Sequence, residues 1–339
     1  MHIPDNYLSP ATCAVLTTAM VPVWARAVKK VKTEITKEKM PLLGVGAAFS
    51  FLGMMFNLPL PGGTTGHAVG GTLIALMLGP NAACIAVSIA LFVQALLFGD
   101  GGILAFGANC FNMAFVLPYL GYGIYQLLAG HTKSEKGKLV AAGIGAYAGI
   151  NAAALCAAVE FGIQPLIYTD ASGQALYCPY PLSVSVPAMM IGHLTIAGLA
   201  EVIFTVAVYS FVKKTSPGML YQQRETKVRP VWILLLLLIV AVPLGLLATG
   251  TAWGEWGADE IAQIVTGGKA LGYTPDQLAN GFSFDALFPD YTIGNMPEWI
   301  GYILSAVAGV AVVVIIFKVA ASFMKNTDKY DQQDVSCKQ

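Results

Sequence analysis

Apolar runs long enough to cross a bilayer, with the basic residues gathered in the gaps between them, restrict this chain's fold more than any other feature. Runs that match about 30 Å of hydrocarbon occur near 8–26, 41–58, 81–98, 107–129, 139–160, 184–212, 231–250 and 299–322. Charged residues make up 11% of the chain, against about 25% in a soluble domain. An all-α integral membrane protein is expected. A shorter run near 67–79, between a glycine-rich loop and Gly79-Pro80, is counted as a further span. The expected architecture is about seven transmembrane helices followed by two C-terminal ones.

The basic residues test that count. Arg26, Lys29, Lys30, Lys32, Lys37 and Lys39 follow the first run, and Lys133, Lys136 and Lys138 follow the fifth. Lys213, Lys214, Arg224, Lys227 and Arg229 follow the seventh, and Lys318, Lys325, Lys329 and Lys338 close the chain. With the amino terminus outside and the carboxyl terminus inside, all of the 19 Lys and Arg except Lys269 fall on the cytoplasmic side, as the positive-inside rule requires. Dropping the short span would invert everything after it. Topology accounts for the cluster from Arg26 to Lys39, so no nucleic-acid partner is invoked.

Residues 1–26 do not read as a signal peptide, because the basic cluster follows the apolar run instead of preceding it. The amino terminus, Met1-His2-Ile3-Pro4-Asp5-Asn6-Tyr7-Leu8-Ser9-Pro10, is therefore expected to survive with its methionine. A free α-amine, the amide nitrogen of residue 2 and the His2 imidazole can close adjacent chelate rings around one metal. Pro4 and Asp5 can turn the chain so that the terminus folds back. A second imidazole, His67, follows the loop Pro61-Gly62-Gly63-Thr64-Thr65-Gly66, and the topology puts it on the same face. Four nitrogens in a plane point to Ni(II) or Cu(II), while imidazole alone would also suit Zn or Co. In the plainer alternative, His2 is a loose terminal residue and His67 caps a helix.

The opening decamer, together with Gly-Gly-Thr-Thr-Gly-His-Ala-Val-Gly-Gly-Thr at 62–72, Phe106 to Ala114 and His193 to Glu201, resembles the CbiM/NikM family. That family comprises the substrate-binding S components of energy-coupling-factor (ECF) cobalt and nickel importers. The resemblance covers about 1–215 and implies a metal held by the Met1 amine, the His2 amide and imidazole nitrogens, and the His67 imidazole. Asn6 stands where the family often has Gly, which alters a turn but removes no ligand. After a cytoplasmic linker at 216–230, the region 231–325 resembles the small CbiN/NikN-type auxiliary subunit, although it lacks the Pro-Asp-Gly-Leu-Glu signature. A cytoplasmic tail, 326–339, would follow. The loop between the last two spans carries Glu255, Asp259, Glu260, Asp276, Asp285, Asp290 and Glu298 against Lys269. It reads either as a cation-concentrating surface or as a solvated face.

Other polar residues invite roles around such a site. Glu201 lies within the seventh span, where a carboxylate is costly and usually paired, and His193 lies two turns earlier. The two read as supporting or gating groups, or as a hydrogen bond between helices. Asn109 and Asn112 share a helix face and could order the terminus or the His67 loop. His131 reads as solvated. Ala141, Gly145, Gly149, Ala153 and Ala157 recur every fourth residue, a spacing for close helix packing within the chain or against a partner. The six cysteines show no C-x-x-C spacing.

No G-x-x-x-x-G-K-[ST] occurs, and no nucleophile–base pair suggests an enzyme. The resemblance supplies the missing energy source: a membrane T component (CbiQ/NikQ type) and a cytoplasmic ATPase (CbiO/NikO type). The expectation is a multi-pass subunit of a prokaryotic inner (cytoplasmic) membrane. It would have no resident cofactor and would carry Co(II) for cobalamin synthesis or Ni(II) for metalloenzymes. The alternative is a secondary carrier or channel needing no ATPase. A metalloenzyme would want an open metal position and a general base, and no H-E-x-x-H appears.

Overall fold

A backbone in hydrocarbon has to satisfy its own N–H and C=O groups, which leaves helices as the answer to long apolar runs. The computed structural model describes residues 1–37, 39–220, 228–266 and 269–324. Arg224, Lys227, Lys325, Lys329, Lys338 and Cys337, much of the expected linker 216–230, and the tail 326–339 lie outside those residues.

The first helices are α1 (Pro10–Glu34) and α2 (Met40–Met55). A two-stranded hairpin follows, β1 (Leu58–Leu60) with β2 (Thr64–Gly66), pairing Leu58 with Gly66. Next come α3 (Gly71–Leu78), α4 (Pro80–Val93), α5 (Phe106–Asn109) and α6 (Leu117–Ala129). After them lie α7 (Glu135–Gly162), α8 (Gln164–Ile167), α9 (Leu182–Gly192) and α10 (Gly198–Thr215). The C-terminal region holds α11 (Arg229–Ala241), the short strands β3 (Val265–Thr266) and β4 (Lys269–Ala270), α12 (Asp276–Asn280) and α13 (Glu298–Ser322).

Six helical stretches among the described residues are long and apolar enough to cross a membrane unaided: 10–34, 80–98, 135–167, 182–215, 229–247 and 298–322. Helix occupies most of each segment expected from the sequence, with two informative departures. The run at 67–79 becomes helical only at Gly71. Gly70 takes φ 73° there and ends the non-helical loop that carries His67. The run at 231–250 stops being α-helical at Ala241 and continues as a tighter 3₁₀ turn, Val242–Leu247, because Pro243 has no N–H to donate.

α3 is short yet wholly buried, and it sits where α6 and α7 come closest. The Gly121 position has room for Thr72 only because it lacks a Cβ, and a Cβ on Gly149 would stand 2.6 Å from the Leu117 carbonyl. The Gly145 and Gly149 members of the fourfold stripe are thus consumed by packing inside the chain, with small residues letting backbones approach. α13 lies along α2: a Cβ on Gly44 would meet Val314 Cα at 3.1 Å, and Tyr302 donates to the Met55 carbonyl at 3.0 Å. The C-terminal region is therefore built into the bundle. Three π-helical turns, Gln94–Phe98, Cys110–Val116 and His193–Ala197, interrupt the helices. Such turns cluster at functional positions.

At the end of the bundle that carries the amino terminus, the connecting loops fold together. Tyr7 donates to the Trp256 carbonyl at 2.8 Å, and Phe288 N–H donates to the Leu97 carbonyl at 2.7 Å. Asn6, with φ 67°, exchanges two hydrogen bonds with the backbone of Phe282, at 2.8 and 3.0 Å. The acidic loop of the C-terminal region is thus anchored onto the amino-terminal segment.

Replacing Gly145 by Leu forces a side chain against the Gly121 carbonyl and is expected to destabilise the fold by about 1–3 kcal/mol. Gly123, which has open space around it, should accept Ala without loss. Thermal unfolding of the two variants in detergent checks this contrast.

Candidate metal centre

A charged terminus folds back into a protein only if its backbone groups find partners on arrival. Here Asn109 supplies two. Its Oδ1 accepts from Ile3 N–H at 2.8 Å, and its Nδ2 donates to the Ile3 carbonyl at 3.0 Å. That carbonyl also accepts from Gly102 N–H at 2.8 Å. The Asp5 carboxylate accepts from Ile103 N–H and Leu104 N–H at 3.0 and 2.8 Å. The approach is so close that a Cβ on Gly102 would meet Asp5. Ser9 N–H donates to Gln164 Oε1 at 3.0 Å, and its hydroxyl caps α1 at Thr12 N–H. Met1 and His2 end up 4% and 1% exposed.

His67 arrives from the other direction. The hairpin turns through Gly62 and Gly63, both at positive φ, where other residues are strained. Beyond β2 the chain is pinned from α10: the Glu201 carboxylate accepts from Val69 N–H at 2.7 Å and from Gly70 N–H at 3.0 Å. The aromatic ring of Phe204 sits 2.9 Å from where a Gly70 Cβ would be. His67 Nδ1 lies 3.2 Å from the Ala68 carbonyl. If that contact is an N–H donation, Nε2 keeps the lone pair.

The two imidazoles meet with ring centroids 5.1 Å apart, inclined at 65°. Metal–imidazole bonds of about 2.0–2.1 Å put two rings sharing one ion at centroid separations of about 4.5–6.5 Å. The observed spacing falls inside that window. Among the described residues neither buried nitrogen of His2 completes a hydrogen bond, and only Nδ1 has a carboxylate oxygen close by, Asp100 Oδ1 at 3.2 Å. Such orphans in a native interior call for a partner. Burial and the adjacent terminal amine push the His2 imidazole down to about 3, and the same causes, with His2 itself, hold His67 well below its ordinary range. Both rings therefore stay neutral at physiological pH, the form that ligates a metal. Among the described residues no three His, Cys, Asp or Glu side chains form a metal-binding group.

Two carboxylates that the sequence reading did not single out flank the pair. Asp100 Oδ1 stands 3.2 Å from His2 Nδ1, while its Oδ2 accepts from Gln94 Nε2 at 3.1 Å and from the Tyr291 hydroxyl. Glu255 Oε1 lies 3.5 Å from the Met1 amine. Burial and the nearby Asp100 raise the Glu255 carboxyl, and the amine draws it back only in part. The signal for Asp100 was a lone carboxylate in Gly99-Asp100-Gly101-Gly102. For Glu255 it was only its place in an acidic loop.

The remaining candidates separate. Asn109 clamps the terminus, whereas Asn112 donates to Glu160 at 2.8 Å and does not touch it. Glu201 seats the His67 loop, while His193 Nδ1 stays with the Met189 carbonyl of its own helix at 2.8 Å. No hydrogen bond joins His193 to Glu201. His131 is exposed, next to the Leu127 carbonyl at 2.7 Å.

Comparison with known proteins follows this division of the chain. Residues 2–219 match the family described as the cobalt uptake substrate-specific transmembrane region, CbiM. Residues 229–326 match the PDGLE domain, despite the absent pentapeptide signature. A probable fused nickel transport protein LarMN of Lactiplantibacillus plantarum is 53% identical over 94% of this chain and 97% of its own. The fused nickel transport protein NikMN of Rhodobacter capsulatus is 48% identical over 93% and 95%. A crystal structure of a truncated transition metal transporter superposes with a TM-score of 0.60 at 54% identity, over 63% of this chain and 99% of that one. Together these matches make the chain a member of the CbiM family, fused to a C-terminal PDGLE (CbiN-like) region.

Proposed function

We propose that this chain is the ion-capturing membrane subunit of an importer for Ni(II) or Co(II). In this reading it holds the ion between the Met1 amine, the His2 amide and imidazole nitrogens, and the His67 imidazole. The observation that carries the reading is the pair of buried, neutral imidazoles 5.1 Å apart beside a folded-back terminus. Nickel is the first candidate, since relatives that span nearly the whole chain are named for nickel transport and a planar nitrogen set suits Ni(II).

The energy would come from elsewhere. The chain has no phosphate-binding loop motif, so a membrane T component (CbiQ/NikQ type) and an ATPase (CbiO/NikO type) would drive transport. The charge pattern supports an amino terminus outside and a multi-pass placement in a prokaryotic inner membrane. Capture outside then requires only a site that opens on the loop-covered end, and release inward requires the His67 loop to move relative to the terminus.

Purified protein should bind one Ni(II) or Co(II) per chain, with an intact Met1 by mass spectrometry. Inserting one Ala after Met1 breaks the chelate rings, and His67→Ala removes the fourth donor. Each should weaken binding on the order of 100-fold, about 2.7 kcal/mol. Undiminished binding in both would sink the chelate. Uptake by proteoliposomes lacking ATP would favour the carrier alternative instead.

Acid should act in two separable ways. Metal affinity falls with pH because the amine and amide each have to give up a proton, and this loss needs no histidine protonation. In the metal-free protein, the neutral His2 imidazole makes its full contribution to stability above its ordinary 6.5, and that contribution drains away as pH falls toward about 3, with His67 acting in the same direction. A series of melting temperatures against pH, with and without Ni(II), reads both. Glu201→Gln places an amide N–H against the donors Val69 and Gly70. It should lower metal affinity about tenfold, an effect of the size seen when groups orienting metal ligands are lost. Unchanged affinity in this variant would show that the His67 loop does not depend on α10.

A further inference from the structure

Beside the chelate lies a cavity of about 560 Å³ whose walls come from both halves of the chain. His67 lies on its inner wall, only 6% exposed, with no hydrogen bond to Nε2 among the described residues. Among the described residues four carboxylates line it, Asp100, Glu255, Asp290 and Glu298, and no Lys or Arg does. The inner pair is engaged, Asp100 beside His2 and Glu255 beside the Met1 amine. The outer pair, Asp290 and Glu298, is exposed and without an ion pair among the described residues.

The outer pair is held in place at a cost. Asp290 and Tyr291 take φ 51° and 60°, a left-handed region that costs non-glycine residues on the order of 1–3 kcal/mol each. The turn persists because Tyr291 is fastened on several sides. Its hydroxyl reaches Asp100 and Gln94, its carbonyl accepts from Ser305 Oγ at 3.0 Å, and its ring stacks on Phe98 at 4.8 Å. The result aims Asp290 into the same cavity as Asp100. Partial desolvation by the cavity wall, on a side chain still open to solvent, and that like charge push the Asp290 carboxyl up, as expected for carboxylates gathered without a counter-ion.

We propose that this cavity is a vestibule in which a hydrated divalent cation is held through its water shell by Asp290 and Glu298 before it loses that water at His67 and the terminus. The inference rests on the chelate reading and adds to it a staging site of a different donor class. Carboxylate oxygens suit a cation that keeps its waters, whereas the nitrogens beyond demand a bare one. Focusing by like charges in a walled cleft raises the rate of arrival and leaves the rate of departure from the nitrogen site to the chelate itself.

The test is stopped-flow association of Ni(II) with the purified full-length chain, followed by the absorption of the nitrogen-bound ion, across a salt series. The variant carries Asp290→Asn and Glu298→Gln. Both side chains are exposed, and Asn tolerates positive φ better than most residues, so the fold should persist, as a melting curve will show. Association should slow about tenfold at low salt, and its salt dependence should flatten. The spectrum and the dissociation rate should stay as in the parent. An association rate and salt dependence unchanged in the variant would overturn the vestibule while leaving the chelate intact. Ca(II) or Mg(II) retained by the parent through dialysis would also overturn it, by marking a resident-ion site. A parent that binds no Ni(II), or binds it equally well after His67→Ala, would instead fell the chelate reading and this proposal with it.

Discussion

Everything at the loop-covered end of this molecule depends on one side chain closing two hydrogen bonds with a single residue of the terminus. Asn109 takes both the N–H and the C=O of Ile3, as a neighbouring β-strand would. A free chain end normally frays because ordering it costs backbone entropy with nothing gained. The amide removes the objection by satisfying the backbone where it is buried. Asp5 then fixes the next turn against Ile103 and Leu104. With Ile3 and Asp5 set, Met1 and His2 are placed beside His67.

Glu201 performs the reciprocal task on the loop that carries His67. A carboxylate within a membrane helix is expensive unless its oxygens are taken, and here two backbone N–H groups take them. The pairing links α10 directly to the start of α3. Any tilt of α10 relative to the bundle would be transmitted to the His67 loop through those two bonds and through the ring of Phe204. The terminal half of the site, by contrast, is tied to α5 and to the loop before it. The two imidazoles therefore hang on different elements, His2 by way of α5 and the loop before it, His67 by way of α10.

Much of this was legible in the sequence, for reasons that differ by element. The helices followed from apolar length alone, since hydrocarbon leaves the backbone little choice. His2 and His67 stood out because imidazoles are scarce in the chain and flank glycine or proline turns. The start of the third helix was misplaced by four residues because hydropathy is blind to a tertiary hydrogen bond: Glu201, 131 positions away, holds Gly70 out of the helix. Asn112 resembled Asn109 in spacing, but its partner Glu160 lies on another helix. Asp100 and Tyr291 were hidden for the same reason, being 191 residues apart. The small-residue stripe could have served a partner; its two glycines instead meet α6.

The two regions that elsewhere match separate family descriptions share one chain here, and that covalent tie alters the thermodynamics of their meeting. Two independent membrane proteins would find each other at a frequency set by their abundance and by dilution in the bilayer. A tethered pair meets at an effective concentration of about millimolar, whatever the expression level. Contacts as weak as a single tyrosine hydroxyl on a carboxylate can then be kept nearly always closed. Stoichiometry is fixed at one to one by synthesis, so a protein copy lacking its cover never has to be guarded against.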